Sequence, residues 1–246
     1  MPGFAVGDRV YVPCTLISAL KNRGTSLYKT KISSITANSA KVELPGGGVS
    51  ASIGVSRLHS DVGILIINIG DFVSEASLLD PLSKSVLQFC RLLVPDDQVA
   101  SVKIRSVAEL KAYWGKNHKA YTHIVLVGHG DKDGLGFGVD GDVDLPTLDK
   151  TFKNRGAKPK SFISLCCKTG YADFGREFSQ FTICKSLAAP FHSVHGATAS
   201  QFCQTMLTWM LLEGRTTKVA FKSVRDSVPG AVSFRLWQNG TMSVGN

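Results

Sequence analysis

From residue 6 to about 57 the chain alternates apolar and polar positions in short runs: Asp8-Arg-Val-Tyr-Val-Pro13, Tyr28-Lys-Thr-Lys-Ile-Ser-Ser-Ile35, Ser39-Ala-Lys-Val-Glu-Leu44 and Val49-Ser-Ala-Ser-Ile53. Period-two alternation, broken at Gly24 and at Pro45-Gly-Gly-Gly48, predicts short half-buried strands curling into a small β-barrel. After Ser60 the pattern changes. Ile64-Leu-Ile-Ile-Asn-Ile69 is a continuous apolar run, as in a strand buried on both faces, and helical spacing follows at Leu79, Leu82, Val86, Phe89, Cys90 and Leu93. Asp80 and Pro81 suit the first turn of that helix.

The alternation of strand and helix continues. Residues 99–104 predict a strand, and Ser106 with Glu109 forms a capping box that starts a helix over 107–114. Residues 123–128 and 161–166 are apolar strand runs separated by a helix-like stretch at 145–155. A strand is expected at 191–197, helices at 200–213 and 217–226, and a closing strand at 231–237. The order predicts an α/β fold, with a mostly parallel sheet flanked by helices, preceded by the small barrel. The expected domains are 1–58 and 59–246. Gly7-Asp-Arg-Val10, the hairpin from Val42 to Gly47 and the closing Val55-Ser-Arg-Leu58 resemble an SH3-like barrel.

Composition narrows the function. The chain has 246 residues, 43% of them apolar, enough for a sizeable core. Its formal charge is +9, but Lys and Arg are scattered, and no aromatic-interleaved basic stripe argues for nucleic acid as a partner. The densest patch, Lys153, Arg155, Lys158 and Lys160, is expected to be a solvated face. The longest apolar stretch, 62–69, is far shorter than a membrane span, and the start lacks a signal-peptide pattern. Six irregularly spaced cysteines without a C-x-x-C pair argue against a disulfide framework. A cytoplasmic, thiol-reducing setting without a membrane partner is the expectation.

In parallel sheets, reactive groups collect beyond the carboxyl ends of the strands. One apolar run ends Val127-Gly-His129-Gly130, an imidazole flanked by glycines; the next ends Leu165-Cys-Cys167-Lys-Thr-Gly170, a thiol. One right-handed crossover between them would set His129 and Cys167 at the same sheet edge.

This order resembles the caspase-like cysteine peptidases, which include caspases, gingipains, separases and the CHAT family. Val127-Gly-His-Gly130 is similar to their His-Gly box, and the stretch from Lys158 through Cys167 to Gly170 to their nucleophile strand. The resemblance covers roughly residues 61–237, and the 200–220 segment is closer to CHAT-type domains than to animal caspases. It implies a cysteine endopeptidase with Cys167 as nucleophile and His129 as base and acid. It further implies an oxyanion hole from the N–H groups of Gly130 and Cys167, with no cofactor and no metal. Cys166 takes the small, packed place before the nucleophile, and Lys168 is placed to favour the thiolate. Family members that cut after basic residues carry Asp two positions before the nucleophile, whereas Leu165 stands here. The candidate substrate pocket is therefore Leu165 with Asp131 and Asp142. The 168–185 region resembles the family's processing loop. A protein substrate, and a protein activator or adaptor docking through the barrel, are the implied partners, in the setting of prokaryotic defence or cell death.

Other motifs fail. The acidic run 131–144 breaks the EF-hand pattern at Leu135, and Cys184, His192, His195 and Cys203 match no common zinc spacing. Gly46-Gly-Gly48 lacks the Lys and Ser/Thr of a phosphate loop. The alternative reading is a non-catalytic pseudo-protease scaffold that binds protein partners.

Overall fold

A computed structural model of the chain describes residues 3–21 and 23–245. Met1, Pro2, Asn22 and Asn246, included in the expected domain ranges, lie outside the described residues.

The alternating N-terminal segment folds as four antiparallel strands in sequential order, β1 (Arg9–Pro13), β2 (Leu27–Ile35), β3 (Ser39–Val42) and β4 (Ile53–Gly54). They curl into a half-barrel around Val10, Val12, Leu20, Ile32, Val42 and Ile53. Gly46, Gly47 and Gly48 all have positive φ, which is why the β3 hairpin needs glycine there. The expected fourth strand at 49–53 shrinks to the two residues of β4 and one bridge, Glu43 to Val49. The closing segment forms a 3-10 turn at Val55–Arg57.

The second part is a seven-stranded mixed sheet. Its strands are β5 (Ile64–Ile69), β6 (Val99–Ile104), β7 (His123–Val127), β11 (Lys160–Ser164), β12 (Cys184–Pro190), β13 (Phe234–Gln238) and β14 (Thr241–Val244). Their order is β14-β13-β12-β11-β7-β5-β6, parallel from β12 to β6 and antiparallel at β13 and β14. A separate three-stranded sheet, β8 (His129–Gly130), β9 (Gly134–Phe137) and β10 (Gly141–Asp144), stands beyond the end of β7.

Helices cover both faces. Strand residues Ile66, Val125, Ile163 and Leu165 pack against α1 (Asp80–Leu93), α5 (Gly196–Leu211) and α6 (Thr217–Ser227). Residues of opposite parity, Ile67, Leu126, Phe162 and Cys166, pack against α2 (Val107–Asn117), α3 (Leu145–Phe152) and α4 (Ala172–Phe178). The central strands β5, β7 and β11 are buried on both sides, as the continuous apolar runs require. The Ser106–Glu109 capping box is present at α2.

Four sequence expectations are corrected. The strand expected at 191–197 is instead β12 at Cys184–Pro190, and His195 is the N-cap of α5. The strand expected to run to Cys166 ends at Ser164. The 168–185 region is no open processing loop: it contains α4, whose Phe174 and Phe178 are fully buried. Lys160 is not on a solvated face. It is buried, with its ammonium on the Tyr121 carbonyl and over the Trp114 ring, because it starts a strand wedged between β7 and β12.

The half-barrel is tied to the sheet. Tyr11 bridges His59, the Ser26 N–H donates to Leu92 O at 2.9 Å, and Arg57 reaches Leu212 O and the Glu213 carboxylate. Tyr11 and Leu27 join the core under α1 and α5. No helix among the described residues is long and apolar enough to cross a membrane.

Candidate active site

The connection runs from β5 through α1 to edge strand β6, then through α2 on the other face to β7, on the opposite side of β5. The crossover direction therefore reverses between β5 and β7, and open α/β sheets carry their sites at such a point. Three chain segments meet there: the loops after β5, β7 and β11.

β7 and β11 pair in parallel, with Leu126 opposite Ser164 and the Leu165 N–H donating to Leu126 O at 2.8 Å. His129 and Cys167 each lie three residues past that last matched pair. Adjacent strands are about 4.8 Å apart, so equal steps beyond a matched pair put both residues past the same end of neighbouring strands. His129 is exposed and Cys167 partly buried. Neighbouring Cys166 is 0% exposed and has its thiol pushed up to about 12 by burial. The other four cysteines are buried too.

The turn carrying Cys167 is fixed by hydroxyls. Past Ser164, the Ser164 Oγ accepts the Cys166 N–H at 3.2 Å and pairs with Thr169 Oγ1 at 2.8 Å, while the Thr169 hydroxyl donates to Cys166 O at 2.7 Å. These bonds replace the strand ladder and end β11. Lys168 then takes a left-handed φ of 61°, and Gly170 presses on β12, where an added Cβ would lie 2.6 Å from Ala189 O. Trp237 Nε1 donates to Gly170 O at 3.0 Å, closing the turn from the far side.

The loop after β5 supplies groups that the sequence reading missed. Asp71 Oδ1 accepts the N–H groups of Val73 and Ser74 at 3.0 and 2.8 Å. Its Oδ2 lies 3.2 Å from His129 Nε2, which also meets Ser74 Oγ at 2.7 Å. Burial disfavours the Asp71 carboxylate, but the hydrogen bonds from Ser74 and Val73 and the nearby His129 outweigh it and hold the carboxyl below its ordinary value. Nε2 is thus engaged by two oxygens, and Nδ1 has no hydrogen-bond partner among the described residues.

That loop is itself pinned. Glu75, in the π-helical turn Glu75–Leu79, accepts Arg105 Nε and Nη2 at 2.7 and 2.6 Å, the Lys103 ammonium at 3.3 Å and the Phe72 N–H at 3.3 Å. The Arg105 hydrogen bonds, against the opposing effect of burial, bring the Glu75 carboxyl down to about 2. Phe72 has a φ of 66°, a costly geometry for a bulky residue, and lies under the Arg105 guanidinium, 60% exposed at the cleft rim.

The backbone around Gly130 and Cys167 has the following surroundings. The Asp131 N–H donates to Gly134 O at 3.1 Å, so alternation makes 130 and 135 a non-hydrogen-bonded pair and turns the Gly130 N–H away from β9. A Cβ on Gly130 would lie 2.9 Å from Thr169 Cγ2 and 3.1 Å from Cys166 Cβ, so this backbone touches the turn that carries Cys167 and only glycine fits. The Cys167 N–H has no partner among the described residues.

The three proposed pocket residues separate. Leu165 is buried, 4% exposed, in the core with α1 and α5. Asp131 is exposed and occupied by its own turn, accepting the N–H groups of Asp133 and Gly134. Asp142 is better placed. It pairs with Gly136, which pairs with His129, so imidazole and carboxylate share one face with a bare glycine between them. The acidic run, expected as a loop, is thus largely the β9–β10 hairpin.

Among the described residues, no three His, Cys, Asp or Glu side chains converge as metal ligands. Cys184 and Cys203 belong to cores on opposite faces of the sheet. No protein-family model matches this chain, and no curated protein sequence matches it.

Proposed function

We propose that this chain is a cysteine endopeptidase of the caspase-like, CHAT-type kind, with Cys167 as nucleophile and His129 as its acid and base. The observation that carries the reading is the matched register of the two residues beyond adjacent parallel strands, with His129 Nε2 held by Asp71 and Ser74.

The chemistry follows from this arrangement. His129 Nδ1 takes the Cys167 thiol proton, the sulfur attacks the scissile carbonyl, and the carbonyl oxygen takes its negative charge beside the N–H groups of Gly130 and Cys167. Collapse breaks the C–N bond, and His129 delivers a proton from Nδ1 to the leaving amine. Neutral His129 then takes a proton from water, which attacks the thioester and releases the acid and the thiol. Asp71 stabilises the imidazolium and fixes its orientation, so it is a positioning residue. The exposed apolar side chains of Phe72 and Val73 offer contact to an extended peptide, and Asp142 offers a negative wall beside His129. A protein substrate, and an adaptor on the barrel's outer face, belong to the same reading.

The test is cleavage of a proteome-derived peptide library by the wild type, Cys167→Ala and His129→Ala. Loss of at least about a thousandfold in both variants is expected for a two-residue catalytic unit. Cleavage that survives Cys167→Ala, or a wild type inert to both the library and peptidyl thiol probes, would overturn the proposal and leave the scaffold alternative.

A further inference from the structure

A second concave site lies at the opposite end of the sheet. Where the half-barrel meets the amino ends of β7, β11 and β12, a cavity of about 540 Å³ opens between Leu58, His59, His123, Ser161, Lys185 and Arg215. This is the size range of small-ligand sites, which favour such junctions. It lies away from the candidate active site: His123 opens β7 and His129 follows two residues past its other end, up to about 20 Å away at 3.3 Å per residue.

Two largely buried side chains present accessible, unpartnered polar atoms to this cavity. His123 is 9% exposed; its Nδ1 meets Thr122 Oγ1 at 2.9 Å, and its Nε2 has no partner among the described residues. Ser161 is 7% exposed, and its hydroxyl has no partner among them either. Both atoms are reachable from the cavity, so a ligand entering it can pair with them in place of water. The charges give its sign. Lys185 and Arg215 line the cavity with no side-chain ion pair among the described residues, against one lining carboxylate, Asp61, which is engaged with the Gly63 N–H. Burial, and after it the positive field of His59, Lys185 and Lys160, lowers His123 to about 3, so its ring is neutral and able to donate or accept. Apolar walls from Phe4, Leu58 and Met210 complete the lining.

We infer that this junction binds a small ligand carrying a carboxylate or phosphate on an apolar body, with the anion toward Lys185 and Arg215 and a polar edge on His123 and Ser161. The site is independent of the peptidase reading.

The test uses full-length protein with ¹³C-labelled histidine. Benzoate, octanoate, phenyl phosphate and adenosine monophosphate are titrated, each against its uncharged counterpart: benzamide, octanamide, phenol and adenosine. At least one anion is expected to shift the His123 and His59 imidazole signals saturably while leaving His129 unmoved. Its neutral counterpart should bind about tenfold or more weakly, as loss of a charge contact implies. Response to the carboxylates or to the phosphates separates the two anion sources. Lys185→Glu and Arg215→Glu, both at exposed positions, should each weaken binding about tenfold without changing the ligand-free melting temperature. The inference is overturned if no anion shifts either signal, if anions and neutral counterparts bind alike, or if both charge reversals leave affinity unchanged.

Discussion

Replacing Asp71 with Asn removes one charge and little else. Asn Oδ1 can still accept the Val73 and Ser74 N–H groups, so the loop keeps its shape. The lost attraction can be bounded from the 3.2 Å separation of Asp71 Oδ2 and His129 Nε2. Coulomb's law at that distance gives about 1.3 kcal/mol in water and about 5 kcal/mol at an effective dielectric of 20. The His129 and Asp71 side chains are 46% and 22% exposed, which puts the pair toward the watery end, at about 1–2 kcal/mol. The amide also turns a donor toward Nε2, favouring the tautomer with its proton on the wrong nitrogen. The combined expectation is a kcat loss of roughly 10- to 100-fold with KM nearly unchanged, since the interaction strengthens only as His129 becomes charged. Ser74→Ala should cost less, because it removes no charge. Steady-state cleavage of the best library peptide, with melting temperatures to confirm folding, reads this out. A kcat within about twofold of wild type, or a loss wholly in KM, would refute the positioning role of Asp71.

Gly130→Ala should cut kcat at least about tenfold, because its methyl must displace Thr169 or Cys166 and so shift an oxyanion donor; unchanged kcat would remove Gly130 from the hole. Cys166→Ala should keep activity and lose about 1–2 kcal/mol of stability by chemical denaturation, since its sulfur is core filler; loss of activity equal to Cys167→Ala would mean the register is wrong. Glu75→Gln should lower the melting temperature in a pH-dependent way. The native carboxyl is depressed to about 2 from an ordinary 4.5, so its stabilisation is full above about 4.5 and lost as pH falls toward 2. The gap between wild type and Glu75→Gln should therefore narrow through that window, and a gap independent of pH would contradict the Arg105 pairing.

The parts of the fold that were legible were those set by local patterning. The run 64–69 could be buried on both faces only as a central parallel strand, and Ser106 with Glu109 marked α2. β12 was displaced because Cys184-Lys-Ser-Leu-Ala-Ala-Pro190 has little β-branched or aromatic character, while Phe191 just beyond it does; tertiary pairing with β11 and β13 decided the matter. The β9–β10 hairpin was hidden by its glycines and acids, which resemble loop composition. In the site, His129 and Cys167 stood out because each follows an apolar run. Asp71 follows one too, two residues past Ile69, and the same rule applied to β5 would have found it. Ser74, Glu75 and Arg105 carried no such signal, since they meet only once the β5 and β6 ends are brought together.

Carboxymethylation of the intact protein with iodoacetate, followed across pH 4–9 and mapped by mass spectrometry, probes the Cys167–His129 pairing most directly. A paired thiol reacts at Cys167 with a rate that stays substantial below pH 7, and His129→Ala abolishes that acidic limb, leaving the single rise of an ordinary thiol near pH 8–9. Identical profiles in wild type and His129→Ala would mean that the two residues do not share a cleft.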